Sequence, residues 1–159
     1  MMNKHHLVAL GLSAMVCLAA PAAMAQGALT SATAATTAAA PPGLYLALGE
    51  KPGITRLMDD FVNRLVKDPR IGGHFKDVKP QALKESLTDQ ICQLSGGPCK
   101  YEGADMKSAH ADMDIQKGHF NALVEVLQSA MDAQGIPFAQ QNRLLALLAP
   151  MHRDVITVR

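Results

Sequence analysis

The sequence lacks tryptophan and contains only two tyrosines and four phenylalanines among its 159 residues. A core so poor in aromatic side chains has to be built from Leu, Ile, Val, Met and Ala, and this composition favours helices. Charge of one sign is also scarce, because 15 Lys and Arg against 14 Asp and Glu give a formal net charge of +1. This balance argues against a protein that holds nucleic acid by phosphate neutralisation or a membrane by a polybasic patch.

Several motifs of catalysis and cofactor binding are missing as well. There is no Cys-x-x-Cys-His for covalent haem attachment. The glycine-rich loops that cradle nucleotide phosphates are absent. Neither the Gly-x-Ser-x-Gly elbow of serine hydrolases nor the His-Glu-x-x-His zinc pair occurs. The sequence therefore gives no support to these classes of enzyme.

The first 25 residues have the pattern of a secretory signal peptide. Lys4 provides the positive start, Leu7–Ala20 is an apolar run, and Ala-Met-Ala at 23–25 is a small-x-small cleavage site. The run is shorter than the roughly 20 residues that span a bilayer as a helix. The alternatives are an uncleaved anchor and a lipoprotein signal at Cys17, which the bulky residue before it disfavours. We expect cleavage near Ala25 and export of a bacterial protein to the periplasm or medium, with no membrane attachment of the mature form.

Residues 26–42 are rich in Ala, Thr and Pro. They carry no charge and no aromatic side chain, and Leu29 is their only sizeable apolar residue. Such a segment cannot bury enough surface to offset the entropy lost on ordering. We therefore predict a disordered linker over 26–42 and one folded domain over 43–159.

Hydrophobic periodicity predicts an all-α domain. Helices are expected over 53–66, from Pro80 to the Ser-Gly-Gly-Pro stop at 95–98, over 104–111, over 116–133 and over 138–156. Pro150 should kink the last of these, because proline interrupts the helical hydrogen-bond ladder. No segment shows the strict alternation of a half-buried strand.

Two cysteines, Cys92 and Cys99, remain after cleavage of the signal. In an oxidising compartment the default expectation is a disulfide, and a free thiol pair or a metal site are the alternatives. Since the closed loop is short, the bond should contribute less than the roughly 3 kcal/mol of a 15-residue loop.

Of the four histidines in the expected mature chain, His110 has the most suggestive surroundings. A single histidine is more often a surface or capping residue than a ligand. Met106 lies one helical turn before His110, and Ile115 and Phe120 follow it. An imidazole on such an apolar face could offer a neutral nitrogen to the iron of a planar, buried cofactor.

Short segments throughout the body occur in the order and spacing of a known family. They are Leu44-Tyr45, Gly53-Ile54, Asp60-Phe61, Asp68-Pro69-Arg70-Ile71 with His74-Phe75, Gly96-Gly97-Pro98 with Tyr101-Glu102-Gly103, Met106 to His110, and Phe120-Asn121-Ala122-Leu123. Over more than 100 residues, this series resembles group I of the truncated haemoglobins. The resemblance implies a two-over-two helical sandwich around a non-covalent haem b.

The resemblance also assigns roles to individual residues. His110 matches the proximal iron ligand, and Phe75 matches the phenylalanine that packs against the macrocycle. Lys107 is either a partner for a haem propionate or a solvated surface lysine. The remaining pocket-lining positions are Phe61, Leu83, Leu87, Met106, Ile115 and Phe120.

Two positions depart from the family pattern. Val62 stands where many members have a tyrosine that hydrogen-bonds dioxygen, an interaction worth about 1.5–3 kcal/mol with a charged acceptor. Unless Gln90 or Ser86 compensates, dioxygen release and autoxidation should be faster than in tyrosine-bearing members. Glu50 stands where the family often has glycine. In addition, no histidine lies between residues 81 and 95, so the distal helix cannot supply a second iron ligand.

The resemblance thus implies a haem protein that binds dioxygen, carbon monoxide or nitric oxide, as a carrier-type globin. One alternative is a haem-dependent redox enzyme, either a nitric oxide dioxygenase or a peroxidase-like protein. That activity would need a reductase partner, and the apolar distal side offers it no acid–base residue. The other alternative is a helical binding module that has lost haem.

Overall fold

The computed structural model describes residues 40–158. The predicted signal peptide and most of the predicted linker lie outside the described residues. Among the helices of the described part, none combines the length and the hydrophobicity that a bilayer span requires.

Residues 40–158 form helices and turns without a strand, so the prediction of an all-α domain is confirmed. Two 3-10 turns, Gly72–Phe75 and Ala149–Met151, accompany the α-helices. The α-helices are α1 Leu44–Ala47, α2 Glu50–Leu65, α3 Pro80–Leu94, α4 Met106–His110, α5 Lys117–Ala133, α6 Phe138–Leu148 and α7 His152–Val155.

The helix bounds differ from the predicted ones in several places, and α2 already begins at Glu50 rather than at 53. Helix α1 has no counterpart among the predicted helices, since four residues are too few for a periodic pattern. Helix α4 begins at Met106 rather than at 104, because Asp105 caps it from a non-helical conformation. The single kinked helix expected over 138–156 is wrong: Pro150 lies in a 3-10 turn that separates α6 from α7.

Helix α2 lies at the centre of the core. It packs against α3 and α5, and α1 packs against both α2 and α6. Ile54 and Leu57 of α2 are fully buried, as are Met131 of α5 and Leu144 of α6. Complete burial of such side chains contributes about 1.5–3 kcal/mol each, so the aliphatic core expected from the composition is present.

The turn between α1 and α2 is unusually tight. Gly49 has a φ of 79° and Glu50 a φ of 57°, so both lie in the left-handed region that favours glycine. Gly53 follows one turn later, and a Cβ atom there would lie 2.1 Å from the carbonyl oxygen of Leu48. This corner therefore requires glycine at positions 49 and 53, whereas Glu50 adopts the left-handed conformation with a side chain present.

Cys92 and Cys99 form the predicted disulfide, with their Cα atoms 5.7 Å apart. Cys92 is fully buried in the last turn of α3. The bond ties this turn to the loop that runs toward α4. Free thiols and a cysteine metal site, the two alternatives, are therefore excluded in this structure.

Candidate functional site

A cavity of about 450 Å³ lies between α2, α3, α4, α5 and the C-terminal part of the domain from α6 to α7. Twenty of its 24 lining residues are apolar; the others are Ser86, Gln90, Tyr101 and His110. A large apolar cavity with a few polar groups is the usual form of a site for a cofactor or small molecule. The four polar side chains should therefore determine the chemistry of this site.

The cavity brings together seven of the ten residues that the sequence points to. Phe61 comes from α2, Phe75 from the first 3-10 turn, and Phe120 from α5. Helix α3 contributes two of the seven and α4 the other two. These four are Leu83, Leu87, Met106 and His110.

The other three residues lie outside the cavity wall. Val62 follows Phe61 in α2 but is fully buried in the core and does not line the cavity. Consecutive helical residues point about 100° apart, so the two side chains face different directions. Ile115 is also buried, and its backbone holds the C-terminal segment: its N–H donates to Thr157 Oγ1 at 2.8 Å. Lys107 is exposed on α4.

His110 has a defined tautomer in this arrangement. Its Nδ1 lies 2.7 Å from the carbonyl oxygen of Met106, which can only accept a hydrogen bond. Nδ1 therefore carries the proton, and in the neutral imidazole Nε2 keeps its lone pair. A backbone carbonyl that fixes the tautomer in this way is the usual second partner of a metal-ligating histidine. The half-buried His110 can thus offer Nε2 as a ligand.

Asp105 holds the start of the helix that carries His110. Its carboxylate accepts the backbone N–H of Ser108 at 2.9 Å and the Ser108 hydroxyl at 2.7 Å. These two bonds, the backbone one first, lower the pKa of Asp105 below its ordinary value. The carboxylate is therefore charged at neutral pH and caps α4.

Helix α3 supplies the opposite wall of the cavity. Leu83 and Leu87 make it apolar, while Ser86 and Gln90 add the only polar side chains of this helix in the lining. Gln90 is buried, and its Nε2 donates to the sulfur of Met106 at 3.6 Å. Both residues named from the sequence as potential polar partners for a ligand thus line the cavity.

Further lining residues were not anticipated. Met58 and Leu65 of α2 lie one turn on either side of Phe61, so helical spacing from that residue would have found them. Tyr101 lies in the loop before α4, where no periodic signal exists. Its hydroxyl donates to the carbonyl oxygen of Ala104 at 2.8 Å.

The fold and the histidine-bearing apolar cavity are those of a globin. Residues 43–157 match the bacterial-like globin family. Group 1 truncated hemoglobin GlbN of Synechocystis sp. is 30% identical over 119 residues, which cover 71% of this chain and 96% of that protein. The chain therefore belongs to the group 1 truncated haemoglobins.

Other relatives agree with this assignment. Group 1 truncated hemoglobin of the ciliate Tetrahymena pyriformis is 27% identical over 116 residues, 73% of this chain and 96% of that protein. The crystal structure of truncated hemoglobin from T. pyriformis in the Fe(III) form has a TM-score of 0.69 and 26% identity. The match covers 71% of this chain and 97% of the crystallised chain. The 2/2 hemoglobin of Synechococcus sp. has a TM-score of 0.67 at 20% identity and supports the fold alone. These similarities confirm the two-over-two architecture.

The residues of the cavity fit a haem. Within residues 40–158, no group of three or more His, Cys, Asp or Glu side chains could hold a bare metal ion. One imidazole in an apolar cavity instead suits an iron whose other in-plane ligands come from its own macrocycle. Phe75 and Phe120 provide the aromatic surface that such a flat cofactor requires. Because Cys-x-x-Cys-His is absent from the sequence, this motif cannot attach the cofactor covalently.

Proposed function

We propose that this protein is a haem b protein that binds a diatomic gas, with dioxygen as its principal ligand, at iron held by His110. The observation that carries the proposal is the hydrogen bond from His110 Nδ1 to the Met106 carbonyl oxygen, in the wall of an apolar cavity. This bond leaves Nε2 unprotonated without the need for a charged partner. Family membership independently supports haem-based gas binding.

Each group of residues has a separate task in this proposal. His110 would hold the iron through Nε2, and Phe75 and Phe120 would pack against the macrocycle. Leu83 and Leu87 would exclude water from the opposite side. When bound, haem supplies an iron with one open coordination position for a small neutral ligand.

Gas binding is favoured over peroxide or nitric oxide turnover by the polar groups of α3. Ser86 and Gln90, its two polar side chains in the cavity wall, do not titrate near neutral pH and cannot act as general acid or base. Turnover of nitric oxide would also require electrons from a reductase partner. A redox activity therefore remains the second candidate.

The first test is an absorption spectrum of the purified protein in oxidised, reduced and carbon monoxide-treated forms. We expect a Soret band that shifts with carbon monoxide. The band should be lost or greatly changed in His110→Ala but retained in His152→Ala, because His152 packs edge-on against Phe120 outside the cavity wall. A colourless parent protein that takes up no added haem would refute the proposal and favour a haem-free binding module.

We further propose that the protein is exported to a bacterial periplasm or medium after cleavage near Ala25. The signal-like pattern of residues 1–25 supports this proposal. The Cys92–Cys99 disulfide agrees with it, because such bonds persist in oxidising compartments. Mass spectrometry of the protein from cell fractions should find a chain that begins near Gln26. Recovery of only the full-length chain from the cytoplasm would refute export.

A further inference from the structure

A pair of histidines joins the first 3-10 turn to the start of α5. His74 Nε2 lies 3.1 Å from His119 Nδ1, and the two rings meet edge to face with their centroids 4.6 Å apart. Both side chains are half-buried. Each is followed directly by a phenylalanine of the cavity wall, Phe75 in the turn and Phe120 in α5. The pair therefore connects the two segments that carry the proposed aromatic contacts of the cofactor.

The backbone around His119 determines where the protons of this pair lie. The backbone N–H of Gln116, the residue before α5, donates to the same Nδ1 over a donor–acceptor distance of 3.3 Å. A backbone N–H can only donate, so His119 Nδ1 accepts and carries no proton. His74 Nε2 must then supply the hydrogen of the bond between the two rings. One unprotonated nitrogen thus accepts both the bond that caps α5 and the link to the 3-10 turn.

Protonation breaks this arrangement at one nitrogen only. A proton added to His74 Nδ1 leaves the Nε2 donor in place, so the link to His119 is kept. A proton added to His119 Nδ1 turns the shared acceptor into a donor that faces two other N–H groups, and both hydrogen bonds are lost. The new charge would also lie at the N-terminal end of α5, where the helix dipole disfavours a cation. The pair therefore separates when His119 is protonated.

No acidic side chain in the described part of the chain forms an ion pair with either histidine. The acids of α2, of the turn after it and of α5 pair with other cations: Asp59 with Lys84, Asp60 with Arg64, and Asp68 and Glu125 with Arg70. The charged side chains on the segments of the pair and on the adjoining loop and α7 are exposed; they are Lys76, Asp77, Asp114, Lys117, Arg153 and Asp154. His152 packs edge-on against Phe120. When both histidines are charged they therefore repel each other, and no paired anion holds them together.

The link between the histidines is placed where it can hold the cavity closed. In the described part of the chain, it is the one side-chain hydrogen bond between the turn Gly72–Phe75 and a helix. The turn has four residues and no side-chain cap, so the link contributes directly to the position of Phe75. We propose that His74 and His119 form a proton-operated latch, which holds Phe75 and Phe120 against the haem while His119 is neutral and weakens haem retention once His119 is protonated. This inference rests on the proposed function.

The test measures the rate of haem transfer from the protein to apomyoglobin at about pH 7.5 and at about pH 5.5, on either side of the range in which histidine titrates. Acid also protonates His110 in every variant, so the informative quantity is the acceleration by acid relative to that of the parent. His119→Gln keeps a capping oxygen that cannot titrate. Its acceleration by acid should be about fivefold smaller than that of the parent, as for one retained hydrogen bond of ordinary strength.

Two further variants complete the comparison. His74→Phe keeps an aromatic ring but removes the donor, so it should release haem faster than the parent at neutral pH and be accelerated less by acid. His152→Phe is the matched control, because it replaces a half-buried histidine beside Phe120 that takes no part in the pair. It should be accelerated by acid as much as the parent.

A second readout tests the proton positions without any variant. In ¹⁵N NMR spectra of the purified protein, reduced and kept under carbon monoxide at about pH 7.5, His119 Nδ1 should give the signal of an unprotonated ring nitrogen. His74 Nε2 should give the signal of a protonated one.

Three results would contradict the inference. The first is an equal acceleration by acid in the parent, His119→Gln and His74→Phe, and the second is a protonated His119 Nδ1 at neutral pH. Either result in a protein that binds haem and gas overturns the latch and leaves the proposed function intact. The third is a parent protein that takes up no haem, which refutes the proposed function and this inference together.

Discussion

Reduction of the Cys92–Cys99 disulfide should lower the free energy of unfolding by about 2.4 kcal/mol. The two cysteines are 7 residues apart in the sequence, and the chain-entropy relation for a closed loop of roughly that length gives this value. For the 119 residues described, an unfolding entropy of about 2.1 cal/mol/K per residue converts it to a fall of about 10 °C in the melting temperature. The effect is large for a marginally stable domain.

The location of the bond determines which variant tests this prediction. Cys92 is fully buried, so its replacement would also remove core contacts. Cys99 is half-buried in the loop after α3 and is the better position to change. Cys99→Ala removes the disulfide and leaves the buried sulfur of Cys92 in place.

Urea denaturation, followed by far-ultraviolet circular dichroism, would measure the parent and Cys99→Ala with and without a thiol reductant. Reductant should destabilise the parent by the amount given above and leave Cys99→Ala unaffected. Equal effects of reductant on both proteins would show that it acts elsewhere. A change in the parent below about 0.5 kcal/mol would refute the loop-entropy argument for this bond.

The remaining predictions concern the first turns of α2, α4 and α5. Gly53→Ala should destabilise the domain by about 1–3 kcal/mol through overpacking, because a Cβ atom there would lie 2.1 Å from the Leu48 carbonyl oxygen. Gly118→Ala is the matched control, since no atom lies within 4 Å of its added Cβ. It should stabilise the domain by about 0.4–1 kcal/mol. Urea titration of both variants checks the pair, and the same sign for both would contradict it. Asp105→Ala should weaken haem retention, measured by transfer to apomyoglobin, while Asp105→Ser keeps a capping oxygen and should restore it. The pKa of Asp105 is lowered on folding. The charged carboxylate therefore stabilises the folded domain at pH values above the ordinary carboxyl range, and this stabilisation is lost as the pH falls through the lower pKa of the folded state. If the parent and Asp105→Ala had the same acid unfolding curve, this reasoning would be wrong.

The helices were predictable where local signals agree. Helix α3 begins at Pro80 and ends at Leu94, as its proline start and glycine stop predict. The prediction of one helix is wrong after Leu148. The apolar periodicity continues through Pro150, but the α-helical hydrogen-bond pattern cannot, because proline has no backbone N–H. Periodicity reports which residues are buried, and both a helix and a 3-10 turn can bury the same side chains.

Site residues that lie on one face of a helix could be predicted from the sequence. Residues positioned by contacts with distant parts of the chain could not. Phe61 and Val62 are neighbours that the resemblance places together in the pocket, but only Phe61 faces the cavity. Ile115 is buried by the returning C-terminal segment, whose Thr157 and Val158 N–H groups both bond to its carbonyl oxygen at 3.0 Å. That contact joins residues about 40 positions apart, so no local pattern could reveal it.

The placement of His110 depends on more than its own helix. Helix α4 has five residues, and an isolated helix of that length is unstable in water. Three contacts hold it in the structure: the cap by Asp105, the bond from Gln90 to Met106, and packing against α7. Since each contact comes from a different part of the chain, the orientation of the proposed iron ligand is a property of the whole domain.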